Sequence, residues 1–88
     1  MNTAYSKKFL KQLAELPKSY RNKIEKFVFE DLKQADALAK LGNIEKMQGY
    51  DHHYKVRFGD YRIGLQEKDG NIIIKVVMHR KEIYKFFP

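Results

Sequence analysis

Residues 54–62 read Tyr-Lys-Val-Arg-Phe-Gly-Asp-Tyr-Arg and carry the pattern of a β-hairpin. Apolar side chains alternate with Lys55 and Arg57, and a period of two is that of a half-buried strand. Gly59 and Asp60 then form a two-residue turn, with glycine at the first central position that a type II′ turn requires. The sequence therefore predicts a tight hairpin whose second strand begins at Tyr61.

A second turn extends this hairpin into a three-stranded meander. Asp69-Gly70 is a strong signal for a type I′ turn, and the apolar run 72–78 follows it. If both turns are two-residue loops, the second hairpin sets Gly64 opposite Lys75. The register of the whole meander can then be written out.

The two faces of this meander differ in chemistry. One face holds a nearly pure apolar set, namely Tyr54, Val56, Phe58, Tyr61, Ile63, Leu65, Ile72, Ile74, Val76 and Met78. The other face holds Lys55, Arg57, Arg62 and Lys75, with His79 at the end of the last strand. A slip of one residue would move the cations into the core, so the register is strongly selected.

The basic face is unusual because its charges are not compensated. Arg57 lies directly opposite Arg62, and like charges in that position destabilise a sheet. The nearby carboxylates all fall in predicted turns or at strand ends, namely Asp51, Asp60, Glu67 and Asp69. A solvated strand face rich in Lys and Arg is common. An uncompensated set beside His79 and Arg80 nevertheless favours a polyanionic ligand.

Composition limits the class of protein. Eighty-eight residues predict one domain, residues 1–88, able to bury a single core. The absence of cysteine excludes disulfides and thiolate metal sites. No apolar run reaches the length of a membrane span and no signal peptide is evident, so a cytoplasmic protein without membrane contact is expected. The net charge of +7 and pI near 9.6 favour an acidic partner, such as nucleic acid, the ribosome or an acidic protein.

Two amphipathic segments precede the meander. Ser6 is a candidate N-cap for a helix that Pro17 ends. Ser19 is the next candidate cap, and the second helix is predicted to continue through Leu41 and stop at Gly42.

The expected fold is a two-layer α+β domain. Two N-terminal helices pack on the apolar face of a curved, mostly antiparallel sheet of three to four strands. Residues 1–5 are a weak candidate for an edge strand, and residues 44–50 are interpreted as a connector.

Most routes to catalysis are not supported by the sequence. His52 and His53 follow Asp51, but adjacent residues rarely converge on one ion and no third ligand has suitable spacing. No metal or other cofactor is expected. There is also no glycine-rich phosphate loop and no nucleophilic serine with a credible base.

The end of the last strand offers a different chemistry. His79, Arg80 and Tyr84 lie there beside Arg62 and a lysine of the basic face. RNA is cut by its own 2′-hydroxyl when a base, an acid and cations act on the adjacent phosphate. These side chains suit that reaction. The alternative hypothesis is a basic patch that binds a polyanion without catalysis.

Three motifs occur in order along the chain. Residues 46–49 read Lys-Met-Gln-Gly, residues 54–63 extend the hairpin motif through Ile63, and residues 79–84 read His-Arg-Lys-Glu-Ile-Tyr. Together they resemble the RelE/ParE superfamily of bacterial and archaeal toxins from toxin–antitoxin pairs. Element order and length agree as well, so the resemblance covers essentially the whole chain.

The resemblance implies a function. RelE-like members are ribosome-dependent endoribonucleases that cut mRNA in the ribosomal A site by 2′-hydroxyl attack, without metal. A co-encoded acidic antitoxin would neutralise the toxin in a hetero-oligomer. Two alternatives remain: a ParE-like inhibitor of DNA gyrase, and a non-catalytic nucleic-acid-binding module.

The resemblance also implies residue roles. The positions that it carries over are Lys55, Arg57, Arg62, Arg80 and Tyr84. Interpretation of the residues themselves adds His79 to this catalytic set, and adds Lys75 and Lys81 to Lys55, Arg57 and Arg62 as residues that bind RNA. Arg62 matches the arginine that stabilises the scissile phosphate, Arg80 the one that assists the leaving group, and Tyr84 the substrate-orienting tyrosine.

The general base needs a separate argument. Some relatives carry lysine, proposed as the base, where Arg57 stands, and arginine is a poor base because it stays protonated. We therefore assign the base to His79, with Lys55 as the alternative.

Overall fold

The computed structural model describes all of residues 1–88. Its five strands are β1 (Asn2–Tyr5), β2 (Ile44–Lys46), β3 (His53–Phe58), β4 (Tyr61–Lys68) and β5 (Asn71–His79). They form one sheet in the order β1-β5-β4-β3-β2, in which only the β1–β5 pair is parallel. The predicted α+β class and mostly antiparallel sheet are confirmed, but the sheet has five strands rather than three or four.

The two additional strands lie at the sheet edges. The weak candidate at the N-terminus is β1, which runs beside β5 with Thr3 opposite Ile72. The prediction of a connector over residues 44–50 is wrong, because β2 pairs with β3 and sets Glu45 opposite Lys55. Three residues are too few to show a period of two, so the sequence carried no recognisable strand signal there.

The helical segments are short. They are α1 (Lys7–Ala14), α2 (Lys18–Lys26), a π-helical turn (Phe27–Asp31), α3 (Leu32–Gln34), a 3₁₀ turn (Leu38–Lys40) and α4 (Ile83–Phe86). The cap at Ser6 is confirmed, because its hydroxyl accepts from the Phe9 amide at 2.9 Å. Helix α2 begins directly after Pro17, without the predicted Ser19 cap. None of these helices is long and apolar enough to cross a bilayer.

The second helix does not reach Leu41 as predicted. It ends at Gln34, because Ala35 is extended at φ −71° and ψ 142°. Leu32 and Leu38 both enter the main core, and the chain turns between them to bring both there. In a continuous helix, Leu38 would lie about 9 Å beyond Leu32 along the helix axis.

The main core lies between the helices and one face of the sheet. Its buried members are Phe9, Leu13, Ile24, Phe27, Val28, Leu32, Leu38, Val56, Ile63, Leu65, Ile72, Ile74 and Val77. Both predicted turns are present. Gly59 has a φ of +56°, and Asp69 and Gly70 have φ values of +51° and +81°.

The first hairpin follows the predicted register, with Arg57 opposite Arg62. The second follows it only from its turn as far as Leu65. A β-bulge lies between Gly64 and Leu65, so Gly64 faces Val76 while Leu65 faces Ile74. The predicted partner of Gly64, Lys75, is the extra residue of the bulge. A bulge inserts one unpaired residue and thereby shifts every later pair by one.

The bulge exchanges the two faces along the rest of β5. Val77 joins the main core, whereas Val76 and Met78, predicted to lie there, are on the opposite face. The run 72–78 of β5 is apolar apart from Lys75, so no alternation of polar and apolar residues marks this exchange in the sequence.

The face opposite α1 and α2 therefore carries a small apolar cluster as well as cations. Met47, Val76, Ile83 and Phe87 are buried in it, and they attach α4 to the sheet. A Cβ atom on Gly64 would come within 2.7 Å of the Phe87 ring and 2.8 Å of Val76. Glycine at this position leaves room for the Phe87 ring to pack against the sheet.

Candidate functional site

A cavity of about 600 Å³ lies on this second face, beside α4. It brings together six of the eight predicted site residues, namely Lys55, Arg57, Arg62, Arg80, Lys81 and Tyr84. Glu45 is the only carboxylate that lines it. We call it the basic cavity.

Arg62 is held by the hairpin that carries it. Its Nη1 atom donates to the backbone carbonyls of Gly59 at 2.6 Å and Tyr61 at 2.9 Å. Burial lowers the pKa of Arg62, and the positive charges of Arg57 and Arg80 lower it further. The guanidinium stays protonated because its ordinary pKa is far above neutral. The site thus concentrates like charges that an anionic ligand would stabilise.

Arg80 lies at the end of β5, where the β3–β4 turn holds its backbone. Its amide donates to the carbonyl of Asp60 at 2.8 Å, and its Nε lies 3.8 Å from the Asp60 carboxylate. Both groups of the pair are more than half exposed, so the ion pair adds little stability. From this position the Arg80 side chain lines the basic cavity.

Tyr84 projects from α4 and contacts Lys55. The ammonium of Lys55 donates to the Tyr84 hydroxyl and lies 4.4 Å from the centre of its ring. Tyr84 is nevertheless 68% exposed, so one side of its ring is free to contact a ligand. The neighbouring Ile83 is fully buried and fixes the helix from which Tyr84 projects.

Sequence reasoning missed Glu45. Its carboxylate lies 3.5 Å from the ammonium of Lys55, across the β2–β3 pair. The sequence contained no signal for its position, because Ile44, Glu45 and Lys46 do not alternate and are too few to identify a strand. The sequence predicted that no carboxylate compensates the charges of the basic face. Glu45 does so in part, although the cations still outnumber this one carboxylate.

The predicted position of His79 is wrong. It pairs with Tyr61 and shares the face of that residue, whereas Arg62 pairs with Met78 on the other face. The rings of His79 and Tyr61 meet edge to face at 5.8 Å, and His79 Nδ1 accepts from the Lys81 amide at 3.2 Å. The bulge in β5 causes this change, since an unbroken register would have placed His79 beside Arg62.

Lys75 is also outside the basic cavity. It lies on the same face of the sheet but lines a different cavity, together with Lys8, His53 and Phe86. Along β3, His53 and Arg57 are four residues apart, which corresponds to about 13 Å.

Comparison with known proteins identifies the family. The model of the ParE toxin of type II toxin–antitoxin systems (parDE) matches residues 4–84. The chain belongs to the RelE/ParE toxin superfamily. The superfamily predicted from the three sequence motifs is thus confirmed.

Several relatives of this superfamily member carry RelE names. It is 37% identical to Toxin RelE3 of Methanocaldococcus jannaschii over 89 aligned positions, which cover all of both chains. The RelB–RelE antitoxin–toxin complex from Methanococcus jannaschii contains a chain with a TM-score of 0.81 and 35% identity, over 97% of this chain and 99% of that one. The archaeal RelE–RelB complex from Pyrococcus horikoshii OT3 gives a TM-score of 0.69 and 25% identity, over 90% and 93% of the two chains.

Proposed function

We propose that this toxin is an endoribonuclease that cleaves mRNA in the ribosomal A site by attack of a 2′-hydroxyl on the adjacent phosphate. The observation that carries the proposal is the basic cavity, where three arginines and two lysines surround one carboxylate and an exposed tyrosine. Full-length similarity to a protein named Toxin RelE3 supports it.

The cations would bind and activate the scissile phosphate. Arg62 is fixed by its own turn, so it would contact the phosphate without first losing side-chain freedom. Arg57 and Arg80 repel Arg62 in the free protein, and negative charge on a phosphorane would relieve that repulsion. Donors arranged in advance for charge that develops in the transition state are a major source of rate enhancement.

The structure leads us to reassign the general base. His79 faces away from the cavity, and the arginines stay protonated. Glu45 is the one carboxylate within the cavity, so we propose that it accepts the proton of the 2′-hydroxyl. Lys55 would hold Glu45 in place, and Arg80 would offset charge on the leaving 5′-oxygen.

Tyr84 would orient the substrate. Its exposed ring offers a surface for stacking a base, while Lys55 holds its hydroxyl. Lys81 also lines the cavity and would contact a neighbouring phosphate.

Primer extension on a defined mRNA, with and without programmed ribosomes, tests the proposal. Cuts that appear only with ribosomes, at A-site codons, are the expected result. Intact RNA in both reactions from a folded sample would contradict it.

Inhibition of DNA gyrase is the second candidate, and the match to the ParE family model is the observation that favours it. A supercoiling assay with purified gyrase separates the two activities. Arrested supercoiling together with intact mRNA would assign the toxin to the gyrase class. A nucleic-acid-binding module would show neither activity but would bind RNA with a strong dependence on salt.

We also propose that an acidic antitoxin binds this toxin in a hetero-oligomer. The net charge of +7 supports an acidic partner, and two similar solved structures are RelB–RelE complexes. Such a partner would cover the basic cavity and prevent RNA from entering.

A further inference from the structure

A second cavity lies on the same sheet face as the basic cavity, at the opposite end of β3. Its volume is about 380 Å³, and Lys8, Lys75 and His53 line it together with Phe86 and Phe87. We call it the distal cavity. No side chain that lines it is acidic.

The two lysines of the distal cavity have no acidic side-chain partner. Neither Lys8 nor Lys75 takes part in any of the ion pairs of the structure. Lys8 also lies in the first turn of α1, where the helix dipole favours negative rather than positive charge. Both lysines are thus available to an anionic ligand that would stabilise them.

An exposed aromatic ring lies beside these cations. Phe86 is 58% exposed, and the ammonium of Lys8 is 5.9 Å from the centre of its ring. The adjacent Phe87 is only 5% exposed because its ring packs against Gly64. This packing holds the backbone that carries Phe86 in place. Aromatic rings next to cations are the usual elements of a surface that binds single-stranded nucleic acid.

Helix α4 separates the two cavities and presents one aromatic ring to each. Tyr84 lines the basic cavity and Phe86 lines the distal cavity. Two helical steps turn a side chain by about 200°, so these residues project on opposite sides of α4. Along β3, His53 of the distal cavity is two residues from Lys55 and four from Arg57, which both line the basic cavity. These spacings of about 7 to 13 Å equal about two to four stacked nucleotides at ~3.4 Å each.

We propose that the distal cavity is a second binding site for the single-stranded RNA that enters the basic cavity. Phe86 stacks on a base about two to four nucleotides from the cleaved bond, and Lys8 and Lys75 bind the flanking phosphates. The proposal rests on the proposed function because both sites hold one RNA strand.

Binding of 2′-O-methyl oligouridylates tests the proposal, because the blocked 2′-hydroxyl separates binding from cleavage. Fluorescence anisotropy would compare a short oligonucleotide of about three residues with one of about ten, long enough for both cavities. We expect Phe86→Ala to weaken binding of the long oligonucleotide by about tenfold and binding of the short one hardly at all. Lys75→Ala should reduce the salt slope by about one unit.

Lys11→Ala is the matched control. Lys11 is an exposed lysine on α1 that lines neither cavity, so its removal changes the net charge equally. Binding by the distal variants that equals that of Lys11→Ala would overturn the proposal, as would failure of the unmodified toxin to bind the long oligonucleotide. A poly-glutamate peptide that loses affinity for the distal variants while the RNA does not would also overturn it, in favour of an acidic protein.

Failure of the proposed function would give a different pattern. If mRNA stays intact on ribosomes while the distal variants still weaken long-oligonucleotide binding, the second RNA site stands and cleavage does not. If cleavage occurs and the distal variants match the control, only the second site is overturned.

Discussion

The two hairpins of the meander share β4 but differ in how fully their sequences specify them. In the β3–β4 hairpin, Lys55 and Arg57 interrupt the apolar residues, and the observed register is the predicted one. In the β4–β5 hairpin, the run 72–78 contains one polar residue, Lys75, and that residue lies at the bulge. Polar residues that alternate with apolar ones specify a register, whereas an apolar run leaves it to tertiary packing.

The β3–β4 hairpin carries the charge on which the proposed reaction depends. Arg62→Ala should lower the rate of ribosome-dependent cleavage by about 10²- to 10³-fold, as loss of one preorganised donor typically does. Primer extension with quantified product measures this change. Lys68→Ala, on the same strand but outside the basic cavity, is the control. Equal rates for the two variants would remove Arg62 from the reaction.

Variants of Glu45 and His79 test which face of the sheet supplies the general base. Glu45→Gln should slow cleavage by about 10²-fold or more and remove the acidic limb of the pH profile, because an amide does not accept the proton. His79→Ala should leave the shape of that profile unchanged, since His79 lies on the other face. The opposite pattern would restore the assignment made from the sequence.

Substitution of Gly64 tests how much the packing of Phe87 on β4 contributes to stability. Gly64→Ala should lower the free energy of unfolding by about 1–3 kcal/mol, because the added methyl would overlap the Phe87 ring and Val76. Urea denaturation measures the loss. The double variant Gly64→Ala, Phe87→Leu should recover part of the stability by making room for the methyl group. No recovery would mean that the overlap with Phe87 is not the cause.

The smallest expected effect concerns the charge repulsion across the β3–β4 pair. Arg57→Gln should raise the free energy of unfolding by about 0.2–1 kcal/mol, because it removes a like charge opposite Arg62. The same change should weaken RNA binding, since a phosphate contact is lost. Urea denaturation and anisotropy would measure the two quantities. A less stable variant would show that the repulsion does not limit stability.

Part of the site was predictable because local chemistry specifies it. The six predicted residues of the basic cavity lie on the β3–β4 hairpin or in the short segment after β5. Their positions follow from turn type, alternation and the family motifs, all of which depend on neighbouring residues. His79 and Glu45 depend instead on pairing between distant residues.

The sequence by itself determined the β3–β4 hairpin, both turn types, the Ser6 cap and the family. Its alternation of charge and apolar residues leaves one acceptable register, and glycine or aspartate occurs where positive φ is needed. Tertiary structure decided which face His79 occupies and brought Glu45 to Lys55. The bulge lies in an apolar run whose residues suit either face, and β2 is too short for any period. In the bulged part of β5, the choice of face depends on packing against the helices and on packing of Phe87 against Gly64.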